Sequence, residues 1–116
     1  MNMEVRKRVE VVLITFDTVS DKFESNYEKN KFFRGLHGWK QIVPKENKSY
    51  VYHRSGLLDE VPHMKISDSV FIVALENMKR MTEYFDEWTD KVECEMMEIM
   101  MDRDKFFKSI RENREW

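Results

Sequence analysis

Two stretches of this chain are apolar on both sides of an extended backbone. After Glu10, Val11 and Leu13 alternate with Val12, Ile14 and Phe16, and Val70-Phe-Ile-Val-Ala-Leu75 has no polar residue at all. Successive side chains on a strand point to opposite faces, so neither stretch has a face left for water. A strand of that kind belongs in the middle of its sheet. The first strand is read over Val5–Asp17 and the later one within Lys65–Leu75. A chain with two such strands needs helices and further strands around them, and the rest of the sequence supplies both.

Thr18 and Ser20 are helix-start signals, and a helix is expected over Asp21–Leu36, with Phe23, Tyr27, Phe32, Phe33 and Leu36 as its apolar stripe. Gly35 and Gly38 are expected to end it, because glycine takes the left-handed conformation of a C-cap. Trp39–Val43 and Ser49–Arg54 flank the polar, proline-containing Pro44–Lys48, which reads as a hairpin. Leu57–His63 is a connection. Met78, Met81, Phe85 and Trp88 lie on one side of a helix over Glu76–Thr89. Lys91–Met101 alternates, with Val92, Cys94 and Met96 against Glu93 and Glu95, so one face is wet and the strand sits nearer an edge. Asp102 is placed to cap a last helix, Arg103–Glu115.

This order predicts a single α+β domain over residues 1–116. The expected plan is a ferredoxin-like β-α-β-β-α-β sandwich: about five mostly antiparallel strands, two helices on one face and a short C-terminal helix. The fifth strand comes from the hairpin. Short pieces carry a family resemblance as well. Phe16-Asp17-Thr-Val-Ser-Asp21, Trp39-Lys-Gln41 and Asp68-Ser-Val-Phe-Ile-Val-Ala-Leu75 are locally similar to the small ferredoxin-like subunit of CRISPR adaptation complexes. That family sets its second helix before the Asp-Ser-Val strand, whereas here a helix follows it. The likeness is therefore one of shared fold and not of membership. What it implies for function is a metal-site role for Asp17.

Several function classes are excluded or weakened by composition. No apolar run approaches the roughly 20 residues that cross a bilayer. Met1–Glu10 is charged and is not a signal peptide. Cys94 is alone, so the chain has neither an internal disulfide nor a cysteine zinc cluster. The expected setting is reducing and cytoplasmic. His37, His53 and His63 match no compact metal motif, no serine sits in a nucleophile elbow, and no cofactor fingerprint is present. No catalytic residue is assigned.

Net charge is only -2, but it is unevenly spread. Between Lys29 and Arg54, Lys29, Lys31, Arg34, Lys40, Lys45, Lys48 and Arg54 stand against Glu46 alone, while Ser55–Asp104 is predominantly acidic. Interleaved with the basic residues are Trp39, Tyr50 and Tyr52. Cations that neutralise phosphates, set among sheet-borne aromatics that stack on bases, form a common platform for single strands. The expected nucleic-acid-binding residues are Arg34, Trp39, Lys40, Lys45, Lys48, Tyr50, Tyr52 and Arg54. Alternation puts Tyr50, Tyr52 and Arg54 on one face of their strand, and Trp39, Gln41 and Val43 on one face of theirs. Two other readings stay open. One is a homo-oligomeric regulatory or protein-interaction module without catalysis, using the Met-rich last strand and terminal helix as apolar surface. The other is a metal-dependent nuclease with Asp17, assisted by Asp21 as an oxygen ligand.

Overall fold

The computed structural model describes residues 5–114, with side chains described as far as Glu112. The described chain is a mixed α+β structure with six strands in antiparallel sheets and four helices. Its contacts divide it into two compact units. One runs to Val19 and resumes at Pro62; the other is Ser20–Val61.

The first unit is built on β1, Arg8–Thr18. It also holds β4, His63–Ser67, β5, Val70–Ala74, and β6, Val92–Asp102. They form one sheet in the order β4-β5-β1-β6, with every neighbouring pair antiparallel. The doubly apolar stretches lie inside it as expected: β1 between β5 and β6, and β5 between β4 and β1. Val11, Val12, Ile14, Phe16, Phe71, Ile72 and Val73 are all buried. The alternating strand β6 is an edge, also as expected.

Each face of this sheet is covered by a helix. On one side, α3, Met78–Asp86, buries Met81 and Phe85. The Phe85 ring lies 5.4 Å from that of Phe16, which meets Phe71 edge-on at 6.5 Å. On the other, α4, Arg103–Arg114, buries Phe106 and Ile110 against Val11 and Ile72. Val11 and Val12 point to opposite faces, and each meets its own apolar layer. That arrangement is the physical reason both faces of β1 had to be apolar.

Helix boundaries follow local chemistry. Asp102 Oδ1 accepts from the Lys105 backbone N–H at 3.0 Å, so the expected cap is in place. The expected end of that helix, Glu115, lies outside the described residues. The second expected helix begins as a 3-10 turn, Leu75–Asn77, and is α-helical only over α3. Its stripe is buried at Met81 and Phe85 and half-buried at Met78 and Trp88. Lys79, Arg80, Glu83 and Glu87 face water.

The second unit contains a 3-10 turn, Ser20–Lys22, then α1, Asn26–His37, β2, Trp39–Lys45, β3, Lys48–Arg54, and α2, Leu57–Glu60. Helix α1 starts later than expected because Ser25 is the cap: its hydroxyl accepts from the Glu28 N–H at 3.2 Å. It ends at Gly38, whose φ of 80° is the left-handed value expected of a C-cap glycine. Gly35, also expected to end it, is inside the helix. A side chain on Gly38 would also strike the Asp59 carboxylate and the Arg54 carbonyl, so the end of α1 is held close to the start of α2. Phe23, Phe32, Leu36, Leu58 and Val61 form the buried apolar set of this unit.

Four expectations are corrected here. The two helices expected on one face are not found there: α3 covers one face of the sheet and α4, as long as α1, covers the other, because both faces of β1 are apolar and each needs a cover, while α1 belongs to the other unit. The strand count is six, because Lys65–Leu75, read as holding one strand, holds residues of two: His63–Ser67 is a strand of its own that pairs with β5. Its signal was legible, since Met64 and Ile66 alternate with His63, Lys65 and Ser67, but the bulge between Lys65 and Ser67 breaks its register with β5. The hairpin adds no strand to the main sheet, since β2 and β3 form a separate two-stranded sheet. Tyr27 is not part of the buried stripe of α1. It lies half a helical turn from Leu36 and is 75% exposed.

Candidate functional site

All eight residues expected to contact nucleic acid lie in the second unit. Arg34 is on α1, and the others are on the β2–β3 hairpin. The turn contains only Glu46 and Asn47, with Lys45 opposite Lys48. This two-residue turn sets a register that the two strands taken separately do not specify. Trp39 pairs with Arg54, Gln41 with Tyr52, and Val43 with Tyr50. Directly opposed residues share a face. The two sets predicted separately on each strand therefore form a single surface: Trp39, Gln41, Val43, Lys45, Lys48, Tyr50, Tyr52 and Arg54.

Side-chain contacts hold this surface in order. The Arg34 guanidinium lies 4.4 Å from the centre of the Trp39 ring, within cation-π range. Arg54 lies 5.5 Å from the Tyr52 ring and donates from Nε to Gln41 Oε1 at 2.7 Å. Arg34 thus joins the hairpin face through Trp39. Lys40 does not. It sits opposite His53 on the reverse face, with the Ile42–Val51 pair. The expected site is therefore brought together in seven of its members and loses Lys40.

The tyrosines are exposed rather than packed. Tyr50 is 44% and Tyr52 46% exposed, and every residue of β3 faces water. Two-stranded hairpins gain little stability by themselves. On the reverse face Ile42 and Val51 are 68% and 63% exposed. There His53 Nε2 is 3.2 Å from Asp59 Oδ2, which also accepts from the Gly56 N–H at 2.7 Å.

A cavity of 290 Å³ adjoins the Arg34–Trp39 pair. Tyr27, Lys31 and Arg34 supply its helical wall, Trp39 and Ser55 the other side, and Gly35 leaves room between them. Sequence reasoning missed Tyr27, Lys31 and Ser55 as site residues. A signal was present for the first two: with Arg34 they recur at i, i+4 and i+7, which is one stripe of a helix. The assumption that Tyr27 belonged to the core masked it.

Asp17 is exposed within β1, opposite Glu93, and Asp21 belongs to the other unit. Among the described residues, no three His, Cys, Asp or Glu side chains gather where they could hold a metal ion. Cys94 borders a 230 Å³ cavity with Thr82, Phe85, Asp86, Thr89, Val92 and Met96. Burial, and then the Glu95 carboxylate, push its thiol up to about 11, so it is protonated at neutral pH. Burial and Glu87 likewise raise the Tyr84 phenol, against a hydrogen bond with Trp88. No described helix is long and apolar enough to cross a membrane. No known family, curated protein or solved structure matches this chain.

Proposed function

We propose that this protein binds nucleic acid through the Trp39/Tyr50/Tyr52 face of the β2–β3 hairpin. The observation that carries the reading is the union of three aromatic side chains and four cations, Lys45, Lys48, Arg54 and Arg34, on one exposed surface. The cations neutralise phosphates, and the ring faces stack on bases. The reading includes a reducing, cytoplasmic setting, supported by the single cysteine. It includes no catalytic step. A filter-binding titration of RNA and DNA, at low salt and again at physiological salt, tests it. Binding should be strongest at low salt and weaken steeply as salt rises, because phosphate contacts release counterions. No binding at low salt would remove the proposal.

A second reading is favoured by one observation. The exposed Ile42–Val51 pair on the reverse face suits a protein contact, so a homo-oligomeric interaction module stays in view. Light scattering across a concentration series checks it. The nuclease reading of Asp17 has no such support, and its only strand neighbour of note is another carboxylate, Glu93. For the fold, the order β4-β5-β1-β6 and its antiparallel pairing support the ferredoxin-like plan. So do the helix-containing links from β1 to β4 and from β5 to β6.

A further inference from the structure

We propose that the cavity against α1 is a subsite for one nucleotide, and that the nucleic acid held by the hairpin is consequently single-stranded. This rests on the binding reading above and names the ligand class of the same site. The walls offer what a nucleotide needs. Lys31 and Arg34 supply two cations, and Tyr27 supplies an aromatic face that is 75% exposed. Ser55 adds a hydroxyl, and no carboxylate lines the cavity to repel a phosphate. At 290 Å³ it stands just below the roughly 300–1,000 Å³ usual for small-ligand sites, a size that suits a single nucleotide unit and nothing larger.

Trp39 connects the cavity to the hairpin. It lines the cavity and is also the first residue of the face that continues through Tyr52 and Tyr50 to Lys45 and Lys48. A base enters a walled cavity only when it is out of the stack. The hairpin independently requires the same state. Tyr50 and Tyr52 are two residues apart on one strand, about 7 Å. Stacked bases of a duplex rise only about 3.4 Å per strand and turn their faces to each other, not to a protein ring. An unstacked strand matches the tyrosine spacing, and a duplex does not.

The test uses the full chain with labelled 12-nucleotide RNA and DNA single strands and duplexes of the same sequence. Single strands should bind at least roughly tenfold more tightly than duplexes. Tyr27→Ala should weaken single-strand binding by roughly 5- to 100-fold with little change in salt slope, and Tyr27→Phe should bind like the parent protein. Lys31→Ala should shallow the salt slope by about one unit. Both side chains are exposed, and a melting curve on each variant confirms that the fold is intact. Equal or tighter duplex binding would overturn the inference. So would unchanged affinity in Tyr27→Ala while Lys48→Ala loses affinity, an outcome that spares the hairpin reading. If no oligonucleotide binds at low salt, both fall.

Discussion

Strands β1 and β3 make a controlled pair within one chain. Both are rich in β-branched and aromatic residues, and both are extended. β1 has a partner strand on each side and a helix over each face, and four of its residues are buried. β3 has one partner strand, and all seven of its residues are exposed. Strand-forming composition therefore specifies extended backbone, not burial. Where a strand keeps Tyr50 and Tyr52 in water without a core to justify them, the rings are available for a ligand. The same difference separates the two charge environments. The buried strands lie in the acidic unit, and the exposed hairpin carries the basic residues.

The largest expected effect tests the buried side of this pair. Phe85→Ala removes a ring packed on Phe16 and should cost about 3–5 kcal/mol in denaturant unfolding. Tyr52→Ala should cost far less. Equal losses in the two variants would erase the distinction. Next is the ligand side: Tyr50→Ala and Tyr52→Ala should each weaken nucleic-acid binding by roughly 1–3 kcal/mol per base with the salt slope nearly unchanged. If those variants lower melting temperature and leave affinity alone, the rings serve structure instead.

Lys45→Ala and Lys48→Ala should weaken binding to all sequences alike and shallow the salt slope by about one unit. Neither should move the melting temperature measurably. Cys94 sharpens the comparison from the buried side. Its thiol is raised from 9.0 to about 11, so the folded state holds its proton more tightly than the unfolded state does. The associated stability is present below about pH 9 and is lost as pH rises through about 11. Cys94→Ser should flatten that alkaline fall in part, and the native thiol should label slowly at pH 7. The smallest effect concerns the hairpin turn. Glu46 has φ 58°, a left-handed value that disfavours a side chain. Glu46→Gly should stabilise the turn by a few tenths to about 1 kcal/mol, read as slower amide exchange in β2 and β3.

Much of this molecule was legible locally. Two-sided apolarity placed β1 and β5 inside the sheet, one-sided alternation placed β6 at its edge, and Asp102 and Gly38 marked helix ends. Each follows from forces acting within a few residues: the pleat, the helical turn, an orphan N–H. What the sequence left open depended on distant partners. β4 has an alternating pattern, Met64 and Ile66 between His63, Lys65 and Ser67, but a pattern this short does not say which strand it pairs with, and β5 supplied the free edge. The hairpin left the main sheet because strand pairing is decided between segments far apart in the chain. The proposed binding face needed the cross-strand register, since a shift by one residue would have separated Trp39 from Tyr52 and brought Lys40 in its place. The cavity needed α1 and the hairpin to meet at Trp39, bringing Tyr27 and Lys31 into a site with Ser55, more than twenty positions away. Periodicity determines which side of an element is apolar, but only tertiary contact decides which side stays open to a ligand.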